Sequence, residues 1–163
     1  MSDITDQRSL GDRAEMPIWK QFYQACDPIS DDRIIARVLR RIRRPFYRRI
    51  FLGCGRNLSV HGGIAVCGGD NITLGDQVQL HGLCALYAAN GKLRIGNRSA
   101  IGRNSTIDAS EGEITIGEDC LIAANSVLRA ADHVFIDRRI PISRQGHRSG
   151  SIVLESDVWL AGL

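Results

Sequence analysis

The chain has 163 residues, 44% of them hydrophobic, and a formal net charge of +3. That length sustains one domain with a substantial core, plus a short appendage. No run of eighteen apolar residues occurs and the opening MSDITDQRSL carries no apolar stretch, so neither a membrane-spanning helix nor a secretory signal is expected. Seventeen glycines against four prolines suit a chain with many tight corners. The five cysteines, at 26, 54, 67, 84 and 120, form no CxxC pair and read as thiols of a reducing cytoplasm.

The first element in chain order is DDRIIARVLRRIRRPFYRRI, residues 31–50. Acidic residues open it, as at a helix start, and Ile34, Ile35, Val38, Leu39 and Ile42 recur at helical spacing. Pro45 is expected to kink or end that helix. Eight arginines fall between Arg33 and Arg49, so residues 1–50 read as a helical, Arg-rich segment. A solvated charged face accounts for them. The sharper alternative is an anionic partner, foremost a peripheral contact with an anionic membrane. No nucleic-acid-binding signature accompanies the charge, and no nucleic-acid partner is expected.

From residue 58 the helical period gives way to another. ITLGDQVQLHG from Ile72, LRIGNRSAIGR from Leu93, ITIGEDCLIAA from Ile114 and IVLESDVWLAG from Ile152 align as copies. The first three begin 21 residues apart, and the fourth begins 38 after the third. Within each copy a six-residue beat runs, through Leu74, Leu80 and Leu86, then Ile95, Ile101 and Ile107, then Ile116, Ile122 and Leu128. Two residues before these lie Ile72, Val78 and Cys84, then Leu93, Ser99 and Ser105, then Ile114, Cys120 and Ser126.

In a strand, residues i and i−2 face the same way. Six residues make a short strand and a corner, and three such units make a triangular coil. Coils stacked about 4.8 Å apart pair strand on strand, while the aliphatics fill the prism. Gly75, Gly96 and Gly117, each following an aliphatic, are expected to supply the backbone freedom of the corner. Helical periodicity fails, since the aliphatics fall at six and two. This pattern resembles the hexapeptide repeat of left-handed parallel β-helix proteins. The resemblance implies an all-β fold over residues 51–163, behind a short N-terminal α-helical segment.

Seventeen residues are added before the fourth copy, predicting a loop over 129–149. The stretch DHVFIDRRIPISRQGHRSGSIVLESDVW is similar to the H-x-F-x-D, P-I-x-x-Q and I-x-(I/L)-x-x-D-V-W pattern of maltose and galactoside acetyltransferase-type enzymes. Nearest among these are the polysaccharide O-acetyltransferases. His133, Phe135, Asp137, Pro141, Ile142, Gln145, Asp157, Val158 and Trp159 stand at matching positions. The resemblance implies acetyl transfer from acetyl-CoA, as co-substrate, to a hydroxyl of a sugar or polysaccharide precursor. It makes His133 the general base, for which a neutral imidazole at pH 7 is the suitable group. It places Trp159 at the acceptor end of the site, and Gly162 on the CoA side. Gln145 reads as a loop anchor that is also near substrate. Where relatives supply an Asn, this chain has Arg103, with Asn104 adjacent as the acceptor-binding candidate; Asp108 reads as a turn residue. A homotrimer is implied, with each site between neighbouring prisms, in the cytoplasm or at the inner membrane face. No metal is expected.

Two other classes compete. The gamma-type carbonic anhydrases share the repeat and bind zinc through three histidines, but His61, His81 and His147 show no spacing that would let two of them ligate together. A non-catalytic stub is the other, because the sequence stops at DVWLAGL within the fourth coil, where relatives continue. Glu155 replaces the expected Gly there, and Leu160-Ala161 the usual Ile-Gly. A C-terminally truncated enzyme is the simplest expectation.

Overall fold

The computed structural model describes residues 45–162. The Arg-rich segment up to residue 44 lies outside the described residues. Residues 45–50 are helical, with Pro45 the first described residue of that stretch, so its effect on the segment before it falls outside the described residues. Among the described residues no helix is long and apolar enough to cross a membrane.

Residues beyond 50 wind into a left-handed parallel β-helix of about four turns. Its first face stacks strands Gly53–Cys54, Ile72–Leu74, Lys92–Ile95, Glu113–Ile116 and Ser151–Leu154. The second face stacks Ser59–Val60, Gln79–Leu80, Ala100–Ile101, Leu121–Ile122 and Trp159–Leu160. The third holds Ala65–Cys67, Ala85–Tyr87, Thr106–Asp108 and Val127–Arg129. Every pairing between coils is parallel, and the register copies the sequence period. Thr73 stands on Arg94, Arg94 on Thr115 and Thr115 on Val153.

The six-residue beat is the interior. Leu74, Leu80, Leu86, Ile95, Ile101, Ile107, Ile116 and Ile122 are at most 2% exposed. Each such side chain contributes about 1.5–3 kcal/mol by leaving water. The small residues two positions earlier are equally buried, and their polar atoms are satisfied within the coil stack. Ser99 Oγ donates to Gly117 O at 2.7 Å and accepts from Cys120 N at 3.0 Å. Ser105 Oγ repeats this one face on, donating to Ala123 O at 2.9 Å and accepting from Ser126 N at 3.2 Å. Burial pushes the Cys84 thiol up to about 11, which keeps it an inert filler. Phe51 and Tyr47 pack onto the core at the first coil. In the last coil Ile152, Leu154, Val158 and Leu160 are only partly buried.

The glycines that follow the aliphatics serve a different need from the one expected. Gly75, Gly96 and Gly117 do not have positive φ; the left-handed residues of that corner are Asn57, Gln77, Arg98, Asp119 and Asp157. Space is what excludes a side chain. A Cβ on Gly96 would lie 2.5 Å from Gly117 C, and one on Gly117 2.6 Å from Ser156 N. Glu155, the equivalent residue of the last coil, has no further described coil stacked on it. Its side chain is exposed.

Polar side chains lace the coils along this first corner. Arg56 pairs with Asp76 at 2.8 Å, and Arg98 reaches both Glu118 and Asp119 at 2.7 Å. Along the second corner, Leu83, Asn104 and Asn125 all take left-handed backbone, and Asn104 Nδ2 donates to Asn125 Oδ1 at 2.9 Å. Leu83 occupies this column at φ +66° with its side chain 63% exposed. Left-handed backbone disfavours a Leu and suits an Asn. Leu83→Asn therefore extends the amide ladder by one coil and is expected to stabilise the protein by about 1 kcal/mol. A rise in the urea midpoint checks this.

Candidate active site

The period breaks at the third corner, between the third face and the first. Earlier coils cross it in four residues, 88–91 and 109–112. After Val127–Arg129 the chain instead leaves the prism and returns at Ser151. The insertion is a hairpin whose arms, Ala131–His133 and His147–Ser149, pair antiparallel. Its base is pinned to the coil by Gly150 N donating to Ala130 O at 2.9 Å and Glu113 N to Gly150 O at 3.1 Å.

The distal loop is organised by Gln145. Its Oε1 accepts from Asp137 N at 3.0 Å, and its Nε2 donates to Asp137 O at 2.8 Å and Ile140 O at 2.7 Å. Its amide is thus engaged within the loop at both ends. Asp137 also accepts from the Arg139 backbone at 2.9 Å and from its guanidinium at 2.8 and 3.0 Å. Those hydrogen bonds hold the Asp137 carboxyl below the ordinary carboxylate range. The clasp is therefore complete above that range and weakens only as the pH falls through the lowered value. At neutral pH the Asp137 carboxylate is ionised and its hydrogen bonds to Arg139 are in place.

His133 ends the first arm of the hairpin, exposed, with its ring 4.3 Å from that of His147. Nearby in sequence Phe135 and Ile136 are 69% and 87% exposed, so the loop presents apolar surface outward. Trp159 lies on the second face, 68% exposed, beside Leu121. Gly162 is at the second corner, where a Cβ would lie 2.3 Å from Ala124 O. Asn104 sits at that same corner, hydrogen-bonded to Asn125. Asp108 ends the strand Thr106–Asp108, and its side chain caps the turn that follows, Oδ1 accepting from Ser110 N at 3.0 Å.

The predicted site residues thus form two groups within one chain. His133 and Gln145 belong to the hairpin at the third corner. Asn104 and Gly162 belong to the second corner, and Trp159 to the second face.

The fold brings the four histidines together in two ring pairs, contacts that the sequence spacing did not show. His61 and His81 stack at 5.0 Å on successive coils, their rings parallel within 3°. Sequence spacing within one coil does not show this, because stacked coils bring together residues 20 apart. Likewise, His147 was missed as the neighbour of His133. Among the described residues, no three His, Cys, Asp or Glu side chains gather as a metal site.

No protein-family model matches the chain, and no curated protein does. Among solved structures it is similar to AntD, an N-acyltransferase from Bacillus cereus. AntD in complex with dTDP and 3-hydroxybutyryl-CoA superposes with a TM-score of 0.61 at 21% identity, over 72% of this chain and 63% of that one. A single-residue variant of AntD in complex with dTDP-4-amino-4,6-dideoxyglucose and coenzyme A gives 0.61 and 21%, over 72% and 64%. The likeness is one of fold. The chain spans less than two thirds of the length of these structures.

Proposed function

We propose that the protein is an acyl-CoA-dependent acyltransferase acting on a sugar acceptor, with acetyl-CoA as donor and a hydroxyl as nucleophile. The observation that carries this reading is the single interruption of the prism, a hairpin that holds an exposed imidazole outside the packed coils. Rigid coils make a scaffold, and chemistry falls to what leaves it. The fold shared with AntD, which was solved with CoA and sugar-nucleotide ligands, supports an acyl-CoA and a sugar as the two substrates.

In this reading His133 takes the proton of the sugar hydroxyl as its oxygen attacks the thioester carbonyl carbon. The C–S bond then breaks, and the CoA thiolate leaves and recovers a proton. A hydroxyl is a poor nucleophile at neutral pH, so a positioned base contributes about 10²–10⁴-fold. Trp159 and Asn104 would contact the acceptor, and Gly162 would border CoA. They leave the prism apart from the hairpin, so a complete site requires the hairpin of one chain beside the second face of another. A cyclic trimer in the cytoplasm satisfies that need.

A second reading is favoured by one observation, that AntD is an N-acyltransferase solved with an amino sugar. There the nucleophile is an amine, which needs less help from a base. The two are separated by following CoA release from acetyl-CoA with dTDP-4-amino-4,6-dideoxyglucose and with hydroxyl-only sugars, and by testing the product with hydroxylamine. Hydroxylamine-labile product is expected for an ester; stable product from the amine alone would establish the second reading. Absence of any acyl transfer would overturn both.

A further inference from the structure

We infer that His147 is a positioning residue for His133, so that the working base is a pair of imidazoles packed together. This deepens the proposed function and rests on it. The hairpin register sets His133 opposite His147. Backbone hydrogen bonds run from Gly150 N to Ala130 O at 2.9 Å and from Val134 N to Gly146 O at 3.0 Å. Hydrogen-bonded and non-bonded pairs alternate along an antiparallel ladder, so His133 and His147 form a non-bonded pair. That is the pairing in which opposing side chains approach closest. The rings accordingly meet at 4.3 Å, inclined by 41°.

The loop delivers His147 to this place by identifiable means. Gln145 locks the turn through its three hydrogen bonds. Gly146 then takes φ +80°, where a side chain would find open space but a strained backbone. The second arm starts with the next residue, His147. Sequence Gln145-Gly146-His147 is therefore a clasp, a turn and a wall.

The wall matters because His133 is otherwise exposed on a two-stranded hairpin beyond the prism. An imidazole free to sample several rotamers spends only part of its time aimed at a hydroxyl. A ring packed against one of its faces narrows that range. Misplacement of a reacting group by about 1 Å can reduce rate about 10²-fold. His147 touches the base and, on this account, not the substrate.

Four variants of the full chain test the inference: His147→Ala, His147→Phe, His133→Ala and the double alanine. The first measurement needs no acceptor. Modification of His133 by diethyl pyrocarbonate, followed by peptide mass, should run several-fold faster in His147→Ala, and return near the wild-type rate in His147→Phe, whose ring restores the cover. The second is CoA release from acetyl-CoA with the acceptors named above. His147→Ala should lower kcat about 10- to 100-fold with KM for acetyl-CoA little changed, and His147→Phe should recover most of it. The double variant should be no slower than His133→Ala alone, because His147 acts through His133.

Unchanged His133 reactivity and unchanged kcat in His147→Ala, with His133→Ala inactive, would overturn the pairing and leave the base assignment standing. Additive losses in the double variant would also overturn it, since His147 would then act independently. Wild-type turnover by His133→Ala would overturn the base assignment and this inference with it.

Discussion

Replacement of His133 by alanine is expected to cut acyl transfer by about 10²- to 10⁴-fold while leaving thermal stability within a degree or two. Both halves follow from where the residue sits. His133 is exposed on a hairpin that hangs from one corner, and no core side chain packs against it. Its removal deletes no buried surface. It deletes the imidazole that the hairpin, Gln145 and the pinned base at Ala130 and Gly150 hold in place. Steady-state CoA release, with differential scanning calorimetry on the same preparations, checks the two halves together. Equal turnover by the two proteins would remove His133 from the chemistry. Loss of folding would mean that the hairpin is part of the scaffold.

The second large effect lies in the walls. Gly96→Ala is expected to destabilise by about 3 kcal/mol or more, at the upper end of overpacking penalties. The added methyl would sit 2.5 Å from Gly117 C and 2.6 Å from Gly117 O, which are backbone atoms that cannot swing aside. Two stacked coils would have to separate, breaking the hydrogen bond from Gly96 N to Ile116 O. Gly62→Ala is the control, because its φ is +83° yet the nearest atom to an added Cβ, Gly82 Cα, is 3.5 Å away. It should cost only about 1–2 kcal/mol, the penalty of left-handed backbone alone. Urea unfolding of the two variants separates close approach from backbone conformation. A larger loss for Gly62→Ala would reverse the explanation given for the glycines.

The prism was legible in the sequence because its interior is one-dimensional. Each coil presents the same few positions inward, so Leu74, Ile95 and Ile116 recur on schedule, and so do Leu80, Ile101 and Ile122. Packing imposes that period, and it therefore survives in the residues. What the period does not carry was read less well. The glycine columns were legible as columns, but their cause, contact with the next coil, depends on a distance between residues 21 apart. The hairpin was visible only as an interruption, since 131–149 places no aliphatic in the prism and so has no repeat. Its internal register, and with it the contact between His133 and His147, is set by backbone pairing and by Gln145. The assembly of the site enters from the resemblance alone, not from the repeat. Asn104, Trp159 and Gly162 lie at the second corner and second face, apart from His133 at the third corner, and in the proposed function it is a second copy of the chain that would join them.

The separation of scaffold from chemistry is most directly measured by excising the insertion. Residues 130–150 are replaced by the four-residue corner that the preceding coil uses, 109–112, and both folding and CoA release are followed. The coil on either side is continuous in register, Thr115 on Val153 and Leu121 on Trp159. The shortened chain should keep its β-rich circular dichroism and a cooperative unfolding transition, and should lose acyl transfer altogether. A shortened chain that still releases CoA at the wild-type rate, or one that no longer folds, would contradict the account.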